Sequence, residues 1–146
     1  MTIYVDGDAC PVKDIIIDVA NEFKIPVHLF IDTSHTYNNP NIIVTIVDKG
    51  PDSVDFAIMK YIQKDDILIT QDYGLSSLAL TKEAFVLHPS GKIINIYNID
   101  TLLVNRYLNK IERKINNHVK GPRKRTQADD DTFKESLIRL LKSKQS

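Results

Sequence analysis

Short apolar, β-favouring runs alternate along this chain with segments whose apolar residues recur every three or four positions. Few folds satisfy that alternation. Strands joined through helices must lie parallel, and the helices must cover both faces of the sheet to bury them. The spacing predicts strands over Ile3–Val5, Val27–Ile31, Ile42–Val47, Ile67–Thr70, Ala84–Leu87 and Lys92–Tyr97. Between them it predicts a helix after Pro11 carrying Ile15, Ile16, Val19, Ala20 and Phe23, ended by Pro26. A second helix is predicted over Pro51–Gln63 with Val54, Ile58 and Tyr61 inward, and a third over Leu75–Lys82. Ile42–Val47 is almost continuously apolar, the pattern of a strand covered on both faces. A long helix follows from about Asp100 to Asn117, with Val104, Leu108, Ile111 and Ile115 along one stripe and Arg106, Lys110, Arg113 and Asn117 along another. The last helix begins among Asp129, Asp130 and Asp131, whose charge suits its free N–H groups. The expected architecture is α/β: one domain of three layers over residues 1–146, with a core to residue 97 and a basic C-terminal helical extension over 98–146.

In such a sheet, ligands bind outside the carboxyl ends of the strands. Three predicted strands end in acids: Asp6-Gly7-Asp8 after the first, Asp48 after the third, and Thr70-Gln71-Asp72 after the fourth. Asp52 and Asp55 lie three residues apart in the first turns of the second helix, on one face. The expected site therefore gathers Asp6, Asp8, Asp55 and Asp72 around one cavity, with Asp52 and Thr70 at its rim. Clustered carboxylates repel one another, and a hard cation relieves that repulsion. Oxygen ligands alone suit Mg²⁺ or Mn²⁺ rather than Zn²⁺, and such an ion can activate water and stabilise phosphate charge. Taken singly, Asp52 and Asp72 could simply cap helices, and Asp48 reads as a loop residue.

Residues 1–100 hold fourteen acids and seven bases, whereas residues 101–146 hold five acids and twelve bases. The division implies an anionic partner for the second part, although two oppositely charged faces could also attract each other. Arg106, Lys110 and Arg113 on the long helix, with Lys120, Arg123, Lys124 and Arg125 in the loop after it, form the expected phosphate-contacting set. Nucleic acid, and RNA in particular, is the expected partner. Apolar residues make up 42% and charged residues 26%, which rules out wholesale disorder. No apolar run approaches the ~18 residues that span a bilayer, and the acid at position 6 does not fit a signal peptide, so a cytoplasmic protein is expected. The sequence is silent on oligomeric state.

Other chemistries have less support. There is no GxxxxGK[ST] loop and no GxGxxG fingerprint. His28, His35, His88 and His118 lack zinc-site spacing, and His28 falls inside a strand. Cys10 lies two residues past Asp8, where carboxylates oppose a thiolate, so a small packing role is expected.

The segments VDGDACPVK (5–13), GPDSVD (50–55), ILITQDYGLSSLAL (67–80) and LHPSGKI (87–93) resemble the YaiI/YqxD family of bacterial proteins. Arg106, Arg113, Gly121-Pro122 and DDDTFKESL (129–137) extend the resemblance over nearly the whole chain. That family is similar to the PIN-like superfamily, so the resemblance implies a PIN-like fold and Mg²⁺- or Mn²⁺-dependent ribonuclease activity. Carried over by position, Asp6 matches the acid after the first strand, Asp55 the helix acid and Asp72 the acid after the later strand, with Asp8 as an added family acid. Gly7 stands where the family more often has alanine, read here as a small change. Pro51 and Ser53 depart from a GADxAD-like run that keeps Asp52 and Asp55.

Three functions compete on sequence grounds. The first is a metal-dependent nuclease with Asp6, Asp8, Asp55 and Asp72 as catalytic and metal-holding residues. The second is a phosphohydrolase of the haloacid-dehalogenase type, because Asp6-Gly7-Asp8 resembles its DxD motif with Asp6 as nucleophile. The third is a non-catalytic nucleic-acid-binding or regulatory protein.

Overall fold

The computed structural model describes residues 1–8, 10–116 and 123–144. These form the strands β1 (Ile3–Asp6), β2 (Val27–Asp32), β3 (Ile43–Val47), β4 (Ile67–Ile69), β5 (Phe85–Leu87) and β6 (Ile93–Ile94). The helices are α1 (Lys13–Phe23), α2 (Ser53–Tyr61), α3 (Tyr73–Thr81), α4 (Ile99–Ile115) and α5 (Gln127–Lys144). One sheet runs in the order β3-β2-β1-β4-β5-β6. Its first five strands are parallel, and β6 returns antiparallel on β5. The fold is the expected α/β domain with a mostly parallel sheet.

Strand alternation divides the core in two. Ile3, Val5, Leu29, Ile31, Ile67, Ile69 and Leu87 face α1 and α5. Tyr4, Phe30, Leu68, Val86 and Ile94 face α2, α3 and the start of α4. Phe133, Leu137 and Leu141 of α5 are fully buried in the first of these layers. The division at residue 97 therefore separates charge, not packing: α5 is a structural layer beside α1.

Four local expectations are corrected. β3 is an edge strand with Ile43 and Ile46 more than half exposed, so its apolar run does not mark cover on both faces. Tyr61 lies outside the core, its ring leaning on His28 and Phe30, and Ile62 takes the buried place instead. The last strand shrinks to Ile93–Ile94, because Asn95 and Asn98 fold the next residues into a turn through their side chains. The apolar stripe of α4 lacks cover among the described residues, with Val104, Leu108 and Ile115 each more than half exposed.

Candidate functional site

β1, β4 and the start of α2 bring their acids to the carboxyl edge of the sheet, as the topology rule requires. Asp6 ends β1 and Thr70 follows β4, its neighbour in the sheet. The buried Thr70 hydroxyl donates to Asp6 Oδ2 at 2.8 Å and accepts the Asp72 N–H at 3.0 Å. Thr70 thus joins the two acids rather than standing at the rim. Asp72 caps α3, accepting the Leu75 N–H at 3.1 Å, and the same oxygen lies 3.8 Å from Arg106 Nη1. The capping and site readings of Asp72 are therefore compatible.

Asp55 stands in the first turn of α2, beside Asp72 in the wall of one cavity. Burial pushes its carboxyl up to about 6, with Asp72, Asp6 and Asp52 adding repulsion. Asp6 is also raised, first by burial and then by Asp72 and Asp8, while the Thr70 hydroxyl opposes the shift. Asp52 occupies the N-cap position of α2 in the left-handed region (φ 63°), yet its side chain makes no capping bond. Its carboxylate is left for the cavity of about 530 Å³ that it lines with Asp55, Phe56, Met59, Asp72 and Arg106. Asp6 is outside that lining and is joined to Asp72 through Thr70.

Asp8 turns aside. It accepts the Asp32 N–H at 3.3 Å and lies 3.0 Å from His35 Nδ1, which also lies 3.2 Å from Asp32. Among the described residues, Asp8, Asp32 and His35 form the one triplet of potential ligands whose atoms all lie within 4.8 Å. Sequence reasoning missed Asp32 and His35, because 32–41 reads only as a polar loop. The sole available signal was a third acid directly after a strand, Ile31-Asp32.

The donor set fits a hard cation. Asp6, Asp55 and Asp72 offer oxygens only, and Asp6 and Asp55 are held above the ordinary carboxylate range by burial and then by neighbouring acids. Among the described residues their oxygens do not all lie within 4.8 Å of one another, so together they would hold such an ion partly through its water.

Beyond Arg106, a groove of about 700 Å³ runs between Tyr73 and α4, lined by Leu103, Arg106, Tyr107, Lys110 and Arg113. Arg106 lines both cavities and so links the acidic and basic regions. The remaining basic residues lie elsewhere. Arg123 grips Asp129 through two bonds at 2.6 and 3.1 Å. Arg125 binds Asp130 at 2.6 Å and the Pro89 carbonyl at 2.9 Å, tying the start of α5 to the β5–β6 turn. Lys124 is exposed between them, and Lys120 lies outside the described residues. His28 is satisfied within β2, bonded to Thr45 at 2.6 Å and stacked on Phe30. Cys10 packs against the α1 layer, and burial above all raises its thiol.

The profile of the family described as "Uncharacterized BCR, YaiI/YqxD family" matches residues 4–143. A UPF0178 protein of Clostridium acetobutylicum is 46% identical over 143 residues, covering 97% of each chain. One from Lachnoclostridium phytofermentans is 50% identical over 147 residues, covering 98% of each. Among solved structures, Rae1 (YacP) from Bacillus subtilis, a W164L mutant, aligns over 99% of both chains at 17% identity and a TM-score of 0.43, which is a slight likeness. The family match and these end-to-end relatives agree: the chain belongs to the YaiI/YqxD family.

Proposed function

We propose that this protein is a divalent-metal-dependent, PIN-like nuclease that cleaves RNA phosphodiesters. The observation that carries the reading is the Asp6–Thr70–Asp72–Asp55 constellation with Arg106 at its edge. Asp6, Asp55 and Asp72 would hold Mg²⁺ or Mn²⁺, which would supply charge stabilisation and an acidified water. Thr70 orients Asp6 and the backbone of Asp72 together, so both carboxyls keep their place without mutual contact. Arg106 sits where it can release Asp72 and take a phosphate oxygen, because the pair is long and more than half of the arginine is exposed. Lys110 and Arg113 continue that contact along the groove, and Tyr73 and Tyr107 offer ring faces to unpaired bases. This favours a single-stranded substrate.

The test is Mn²⁺ binding by calorimetry beside an Asp6→Asn, Asp72→Asn double variant, followed by cleavage of single-stranded RNA. Metal binding and Mn²⁺-dependent cleavage should both disappear in the variant. RNA binding by the wild type with no turnover under any divalent ion would replace this reading with a non-catalytic binder.

A further inference from the structure

The outer face of α4 is an apolar seam spaced like one strand of a coiled coil. Val104, Leu108, Ile111 and Ile115 of α4 continue a 3-4-3-4 series that begins at Thr101, with Tyr97 exposed in the turn just before the helix. At about 100° per residue these side chains lie on one stripe, roughly opposite Ile99, Leu102, Arg106 and Arg113. The inner stripe meets the second core layer and the groove. The outer one is open: Tyr97 is 88% exposed and Ile115 79%, with Val104 and Leu108 at 54% each. After Leu103 every described α4 residue except Ile111 is exposed. A helical arm of that length with so little packing is marginal in water by itself, since helices of ~12–15 residues need tertiary cover.

We infer that α4 pairs with α4 of a second copy of this chain, antiparallel and about a two-fold axis near Arg106. The charges flanking the seam choose this occupant and direction. With the axis there, Leu108 of each copy meets Val104 of the other, Ile111 meets Thr101, and Ile115 reaches the turn that precedes α4. The same alignment sets Asp100 in the first turn opposite Lys114 in the last, and symmetry makes that pair twice. A parallel pair makes no such ion pair, because it sets Asp100 beside Asn105 and Tyr107 beside Glu112. The arrangement leaves Arg106, Lys110 and Arg113 facing outward from the joint, so the grooves of the two copies stay open on opposite sides. The joined helices are about 25 Å long, which puts their contact at the lower end of specific interfaces.

Sedimentation velocity on the full chain from about 5 to about 200 µM tests this. The mass should move from 16.6 kDa towards twice that value. Leu108→Asp should hold the protein monomeric throughout, with its thermal unfolding retained because the position is exposed. Asp100→Lys alone should weaken the dimer roughly fivefold, and adding Lys114→Asp should restore it. A wild type that stays monomeric across the range overturns the inference. So does a dimer indifferent to Leu108→Asp, or a double swap no tighter than the single one. A monomer that binds vesicles of anionic phospholipid, and loses them on Leu108→Asp, would assign the seam to a membrane surface instead.

Discussion

Asp55 shows what crowding of acids costs at a single residue. Its carboxyl is raised to about 6 against an ordinary 3.8. The folded state therefore holds a proton that the unfolded chain has released between those values. This group's contribution to stability is full below pH 4 and is lost as pH rises through about 6. In metal-free buffer at pH 8, Asp55→Asn should stabilise the protein by about 1 kcal/mol, discounted from about 3 because the side chain is only half-buried. Thermal melts across pH check this, and the sign should reverse in Mn²⁺, where the wild type alone gains. Gly7 is a second residue-scale case. A Cβ there would lie 2.6 Å from Leu29 Cδ1 and 2.8 Å from the Phe30 carbonyl. The exchange with alanine is therefore not small in this chain: Gly7→Ala should cost about 1–3 kcal/mol in denaturant unfolding, through displacement of β2.

At the scale of elements, α5 illustrates how charge pattern and packing can be read apart. Its acidic start and basic tail suit the two ends of a helix, while its apolar face of Phe133, Leu137, Leu140 and Leu141 fills the layer beside α1. Leu137→Ala should lower unfolding free energy by about 2–5 kcal/mol, the cost of a core cavity; a loss under 1 kcal/mol would mean that α5 is only loosely attached. Its start is fixed by Arg123 and Arg125 on Asp129 and Asp130. Sequence alone left those arginines as phosphate contacts, since a run of bases does not reveal that its acids lie five or six residues later and fold back. β3 is the opposite case. An edge strand and a central strand can share one apolar pattern, and only strand order tells them apart.

For the whole molecule, the consequence is a division of labour between two neighbouring cavities. Acids occupy one, bases the other, and Arg106 belongs to both. Binding of single-stranded RNA should fall steeply with salt. Lys110→Ala with Arg113→Ala should weaken it across sequences and reduce the log–log salt slope by roughly one to two. Filter binding at several salt concentrations measures both. Arg123→Ala should leave the slope nearly unchanged, because that guanidinium is already committed to Asp129.

The alternation of strand and helix, the parallel sheet and the arrival of Asp6, Asp55 and Asp72 at one edge were legible in the sequence, because side-chain period and crossover handedness act locally and leave few topologies. What the tertiary structure alone decided were the partners. Thr70 between two acids, Asp8 turned to His35, arginines spent on α5 and a seam on α4 left exposed among the described residues all depend on which residues distant in sequence meet in space. A contact is set by the direction and distance of both side chains at once, and one residue's type carries only half of that information.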